Sequence, residues 1–409
     1  MTSHLIHRLI TIAVAASAVL PAASGPAVAD QTADTAFQTS ADPGAISLPP
    51  LPVRLGAGQP CTVASQKTAT AATWSGSALG LHRAHQLSEG EGVTVALVDT
   101  GVGSGVPALS GRVTALGGAG TDCPGHGSFA AGLIAAAPEK GKGVVGLAPQ
   151  ARILAVSGTD DRGAPSVQRV AQGIRASAKR GAEVIYVGAT LRTGRAELAS
   201  AVAYAVREDA LVVAPAAPDA VPREELGPNG ELPRGPYWPA ALPDVLSVVD
   251  FGPSGVRQEK APPAYRPELA APGGGMVSVG PRGSGHYIGS GASLAAACAA
   301  GAAALVRAYH PEMTAEQVRR QLLEASYPSD IPRLDPYAAM STVLPAARSQ
   351  SAIKAAKPPA ARMPAPPDNR PRTRGLAIAA VCLAVVLLVG AAGVVIPLGR
   401  ARGWLPPGR

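Results

Sequence analysis

The sequence predicts an α/β protein, a parallel β-sheet with helices on both faces, followed by one C-terminal transmembrane helix. Three observations carry this. Short, near-continuous apolar runs such as residues 93–98 and 210–214 read as strands buried on both faces. These runs alternate with helix-length segments at 166–180 and 197–208, the pattern of strand–helix–strand units. Residues 375–398 carry no charge, and 24 residues at about 1.5 Å rise each cross the hydrocarbon core of a bilayer.

Composition narrows the function classes. The 409 residues exceed one average domain, and with aromatics at 3% the core must be filled by small aliphatics. The net charge of +8 is local: residues 351–409 hold nine Lys/Arg against one Asp, so residues 30–350 are close to neutral. A near-neutral globular part gives no reason to expect a nucleic-acid partner.

Residues 1–29 read as a signal peptide: His4, His7 and Arg8 precede an apolar stretch at 9–20, and Ala27-Val28-Ala29 is a small-x-small cleavage site. An uncleaved anchor is the other reading, and either one exports the downstream chain. Residues 30–74 form an extended arm, rich in Pro, Ala, Thr and Ser, with a polyproline-like Leu48-Pro49-Pro50-Leu51-Pro52 and Cys61. From residue 75 to 345 the texture is that of one globular domain. A short amphipathic helix at 79–87 precedes the strand 93–98, which ends in Asp99-Thr100-Gly101. Sites in open α/β sheets lie at the carboxyl ends of strands, so Asp99 is a candidate, with a turn-forming Asp as the plainer reading. His126, between Gly125 and Gly127, opens an alanine-rich helix. Strands follow at 152–156, 183–187, 210–214 and 245–249, and residues 215–237 are a Pro/Gly-rich loop.

The stretch Gly289-Ser290-Gly291-Ala292-Ser293 runs into a helix of almost only small residues. Ser293 at the junction is either an N-cap or a nucleophile whose oxyanion meets the free backbone N–H groups of the helix start. Thr314-Ala315-Glu316-Gln317 is a capping box opening a helix to about residue 326. A Pro- and Lys/Arg-rich linker at 346–374 leads to the transmembrane segment 375–398, and residues 399–409, with Arg400, Arg402 and Arg409, form a cytoplasmic tail.

Asp99, His126 and Ser293 stand in the order found in subtilisin. Asp99-Thr100-Gly101, His126-Gly127-Ser128 and Gly291-Ala292-Ser293-Leu294-Ala295 each resemble a motif of the subtilisin-like serine proteases, with Ala292 in place of the usual Thr and Ala297 in place of the usual Pro. The plan of signal peptide, cysteine-bearing arm, protease domain, proline-rich linker and membrane helix is similar to that of the mycosins, membrane-anchored subtilisin-like proteases of actinobacterial type VII secretion. The resemblance implies that Ser293 attacks the scissile carbonyl, His126 relays the proton, and Asp99 holds the imidazole. It implies no metal and no other cofactor. His82 and His85 are spaced like weak metal ligands, but no Glu or Cys completes a set, and they are expected on a helix surface. The implied partners are a protein or peptide substrate, a membrane secretion complex, and a bilayer crossed by one helix, with the protease domain extracytoplasmic.

One departure bears on activity. The family supplies an oxyanion-hole Asn after a buried strand, and here that position falls on Pro218 or Asp219. Pro has no side-chain donor and an ionised Asp only accepts. Tyr186-Val187-Gly188-Ala189 also replaces a Ser-containing edge. Two readings stay open: a slow or narrow serine endopeptidase, and a catalytically impaired structural component of a secretion complex. Of four cysteines, Cys382 lies in the membrane helix and Cys298 in the alanine-rich helix. Cys61 and Cys123, both exported, are expected to pair and tie the arm to the loop before His126.

Overall fold

The computed structural model describes residues 47–222, 225–344 and 370–403. The expected signal peptide at 1–29, the start of the arm and residues 345–369 of the expected linker lie outside the described residues.

Seven strands make one fully parallel sheet: β1 (Thr94–Asp99), β2 (Val113–Ala115), β3 (Arg152–Ser157), β4 (Val184–Val187), β5 (Leu211–Pro215), β6 (Val245–Phe251) and β7 (Leu269–Pro272), in the order β2-β3-β1-β4-β5-β6-β7. A hairpin of β8 (Met276–Val279) and β9 (His286–Gly289) stands apart. From β1 the chain moves outward to β2 and β3, then returns to place β4 on the other side of β1. The β1/β4 boundary is therefore the topological switch point, where the carboxyl ends of strands open a crevice.

The two faces are divided by strand parity. Val95 and Leu97 join Tyr186 in the core beneath α3 (His126–Ala135) and α6 (Ala292–Tyr309). Ala96 and Val98 join Ile185 and Val187 in the core under α4 (Val167–Lys179) and α5 (Arg195–Arg207). The sequence places α4 and α5 within two residues of their ends, and Ser166 caps α4 by accepting the Arg169 N–H. α6 is buried from Ala292 to Arg307, and its run of Ala and Gly lets the backbone lie close against the sheet. The capping box before α7 (Ala315–Glu324) is formed in both directions, and α8 (Pro336–Ser341) completes the domain.

The helix expected at 79–87 is shortened to α2 (Leu81–Ala84), and a separate short helix, α1 (Trp74–Ala78), precedes it. Thr73 caps α1, and Gly80 between them has φ of 58°, a left-handed conformation that ends one helical path and starts another. His82 is exposed, whereas His85 is half-buried and its Nε2 is 2.8 Å from the Leu147 carbonyl, so only the first is a surface residue.

The arm is stitched onto the domain rather than loose. Leu51 N–H donates to Ile288 O (2.8 Å), Thr62 N–H to Cys123 O (2.9 Å) and His286 N–H to Lys67 O (2.7 Å). Cys61 and Cys123 form a disulfide across 62 residues of sequence, as expected. Cys298 is a buried free thiol, pushed up to about 12 by burial.

The second unit is described by α9 (Arg370–Ala401), whose residues 374–401 are apolar and long enough to cross a membrane.

Candidate active site

Asp99 ends β1 on the same side as Val95 and Leu97, so parity aims its carboxylate at the start of α3. His126 is the first residue of α3, and its Nδ1 lies 2.9 Å from both Asp99 oxygens. Its Nε2 lies 2.9 Å from Ser293 Oγ, which belongs to the first turn of α6. Asp99, His126 and Ser293 are 2%, 5% and 1% exposed, so these contacts form away from bulk water. The end of β7 fixes where α6 begins, through a 2.9 Å hydrogen bond from Gly291 N–H to Gly273 O.

A second carboxylate, one that sequence reasoning missed, holds this geometry. Asp122 is buried; its Oδ1 accepts the Thr100 hydroxyl and the Gly125 N–H, both at 2.8 Å, and its Oδ2 accepts the Ser128 N–H at 2.7 Å. Thr100 Oγ1 in turn accepts the Gly127 N–H at 2.8 Å. Asp122 thus caps α3 from outside and ties the residue after Asp99 to the residue after His126. Burial raises the Asp122 carboxyl above the ordinary range, against the pull of these hydrogen bonds. A carboxylate a few residues ahead of a helix start was the available signal.

Burial alone would raise the Asp99 carboxyl; the His126 charge and hydrogen bonds from His126 and Thr100 outweigh it and hold the group below the usual carboxylate range. Burial would likewise lower the His126 imidazole, but the Asp99 charge, with contributions from Asp219, holds it well above its ordinary value.

Of the two positions that could replace the oxyanion-hole Asn, Asp219 meets the serine. Its Oδ1 accepts the Ser293 N–H at 2.9 Å, its Oδ2 pairs with Ser293 Oγ, and the same Oδ2 is 3.4 Å from His126 Nε2. Pro218 lines the cleft beside it. The Ser293 hydroxyl has one hydrogen and two acceptors within reach, His126 and Asp219. Tyr186, on β4 beside β1, is fully buried, and its hydroxyl lies beside Asp99 and Ser293 with no well-formed hydrogen bond among the described residues. Burial, then the Asp99 and Asp219 charges, keep this phenol neutral.

A cleft of ≈ 660 Å³ opens over Asp99, His126 and Asp219, walled by Val53 and Leu55 of the arm, Gly188 and Ala189 after β4, and Ala217 and Pro218 after β5. Gly188 has no room for a side chain: a Cβ there would lie 1.7 Å from Asp99 Oδ2 and 2.7 Å from the Tyr186 hydroxyl. Asp99 cannot yield without leaving His126. Gly188→Ala is therefore expected to slow acylation of Ser293 by about 10²-fold, the usual effect of an ångström-scale misplacement. The rate of labelling by a fluorophosphonate probe, compared with the wild type at equal folded fraction, measures this.

A family model described as Peptidase S8, Subtilase family, matches residues 90–353, which include all three of these residues. The chain belongs to the subtilase family. It is similar along nearly its whole length to Mycosin-3 of Mycobacterium tuberculosis, 32% identical over 96% of each chain. Mycosin-1 of the same organism is 30% identical, over 78% of this chain and 84% of its own. Among solved structures, that of MycP3 protease from the type VII (ESX-3) secretion system superposes with a TM-score of 0.57 at 29% identity, covering 74% of this subtilase and all of that chain. A chain of an intact ESX-5 inner membrane complex gives a TM-score of 0.61 at 26% identity, over 89% of this chain and 99% of that one. The subtilase fold and its mycosin likeness therefore agree with the parallel sheet and with an apolar C-terminal helix.

Proposed function

We propose that this subtilase is a membrane-anchored, extracytoplasmic serine endopeptidase that works within a type VII secretion complex. The observation that carries the enzymatic part is the position of His126, 2.9 Å from Asp99 through Nδ1 and 2.9 Å from Ser293 through Nε2. With Nδ1–H directed to Asp99, the Nε2 lone pair is free to take the Ser293 proton as Oγ attacks a peptide carbonyl. His126 then delivers that proton to the leaving amine, and Asp99 stabilises the imidazolium between the two steps. The backbone N–H of Ser293, at the positive end of α6, is one oxyanion donor.

The placement rests on other grounds. Residues 1–29 export the chain, the arm at 30–74 and the domain at 75–345 stay outside, and the linker at 346–374 leads to an anchor at 375–398 with the tail at 399–409 inside. The Cys61–Cys123 disulfide supports an oxidising compartment for the domain. Association with a secretion complex is supported by the likeness to the ESX-5 inner membrane complex chain and to MycP3.

A second reading, a structural component with little catalysis, is favoured by one observation, the Asp219 carboxylate on the Ser293 N–H. Labelling of the detergent-solubilised full chain with a fluorophosphonate probe tests the first reading against it. Labelling lost in both Ser293→Ala and His126→Ala is the expected result. A folded wild-type chain that takes up no probe at any pH would leave the structural reading.

A further inference from the structure

Asp219 is the one carboxylate in the site that a serine protease mechanism leaves unexplained. Its side chain is 5% exposed, and it occupies the position in which an oxyanion would accept the Ser293 N–H. As an anion it repels the intermediate; as an acid it carries an O–H that can donate to it. The groups facing it are His126 from α3, Ser293 from α6, and Asp99 and Tyr186 from the sheet, with Arg54, Asp160 and Arg162 around the cleft. Among the described residues, its ion-pair partner is His126.

We propose that Asp219 is a catalytic donor in its acid form: Asp219 and His126 share one proton, and Ser293 reacts only from the arrangement that puts that proton on Asp219. This rests on the triad reading. Two arrangements hold the same number of protons. In the first, His126 is an imidazolium, the Ser293 hydroxyl donates to the Asp219 carboxylate, and Nε2 has no lone pair to act as a base. In the second, the proton has crossed the 3.4 Å from Nε2 to Oδ2. His126 is then neutral and accepts the Ser293 hydroxyl, and Asp219 presents an O–H to the oxyanion position.

From the second arrangement the step balances. The Ser293 Oγ–C bond forms, the carbonyl π pair moves onto oxygen, and the Oγ proton moves to His126 Nε2. The oxyanion displaces Asp219 Oδ1 from the Ser293 N–H, and it accepts from that N–H and from the O–H of the displaced Asp219 carboxyl. Collapse breaks the C–N bond, the amine takes the His126 proton, and Asp219 keeps its own. The Asp99 carboxylate, 2.9 Å from Nδ1, favours the imidazolium of the first arrangement, so the rate is set by how much of the second is present.

The test is the rate of fluorophosphonate inactivation of the detergent-solubilised full chain from about pH 5 to about pH 10, for wild type, Asp219→Asn and Asp219→Ala. The wild type is expected to give a bell, falling at alkaline pH as the shared proton is lost. Asp219→Asn donates an N–H at every pH and no longer raises His126. Its rate is expected to climb to an alkaline plateau, with the acid limb at lower pH than in wild type, and to exceed the wild-type maximum by about 10²–10³-fold. Asp219→Ala lacks both charge and donor, and is expected to run about 10²–10³-fold below Asp219→Asn with the same plateau shape; that plateau against the wild-type bell decides the matter if the Asn variant does not fold. A wild-type rate that climbs to an alkaline plateau, or an Asn variant no faster than wild type, overturns the proposal while leaving the triad. If no variant is labelled at any pH, the triad reading falls as well.

Discussion

Asp99→Asn is expected to slow the acylation of Ser293 by about four orders of magnitude while leaving the chain folded. The carboxylate accepts from Nδ1 at 2.9 Å, which puts the imidazole hydrogen on Nδ1 and leaves Nε2 as the base. An asparagine can turn its amide N–H toward Nδ1. That favours the opposite tautomer, with hydrogen on Nε2, and the base facing Ser293 is gone. The substitution also removes the charge that holds the imidazole well above its ordinary value, so the imidazolium formed during attack loses its main stabilisation. The side chain stays isosteric in a buried site and can still accept the Thr100 N–H, now 2.6 Å from Oδ1, so thermal melting is expected to change far less than the labelling rate. A rate within tenfold of the wild type would remove Asp99 from this role.

The second large effect concerns stability. Replacing both Cys61 and Cys123 by serine is expected to cost about 4 kcal/mol, the chain-entropy value for a closed loop of this length. The bond spans 62 residues and joins the arm to the segment immediately before Gly125 and His126. Next to it, Thr62 N–H donates to Cys123 O at 2.9 Å and the Thr62 hydroxyl to Pro124 O at 2.6 Å, so the arm and this segment act as one unit. Without the bond, the arm is held by exposed or half-buried hydrogen bonds, which open locally before the sheet does. The denaturant midpoint should fall, and a protease should cut within residues 47–72 at concentrations that leave the oxidised protein whole. An unchanged midpoint and an uncut arm would show that the hydrogen bonds alone secure it.

Much of the fold was legible because it is written in local patterns. Buried strands such as β1 and β5 announce themselves as apolar runs, and α4 and α5 by helical periodicity with Ser166 ahead of α4. The capping box at Thr314 is equally local, and it is formed. The short elements were less legible. Three-residue β2 is too brief for a period, and β7 to β9 are four residues each among glycines. The helix expected at 79–87 begins only after Gly80 and is shorter, because a left-handed residue decides the path and periodicity does not register it.

Local sequence set out the available chemistry: an Asp at the end of a buried strand, a His and a Ser each at the start of a small-residue helix, a Pro-Asp pair where the family resemblance puts an Asn, two cysteines able to pair, and an apolar stretch of membrane length. It left the oxyanion position open between Pro218 and Asp219. Only the tertiary structure placed Asp219 on a serine 74 residues away, set Tyr186 beside Asp99, and wired Asp122 through Thr100 to the start of α3. The reason is physical. Strand parity and helix caps act over a few residues and can be read along the chain, whereas a contact between segments depends on sheet order and on how closely a backbone such as Gly188 or Gly291 lets its neighbour approach.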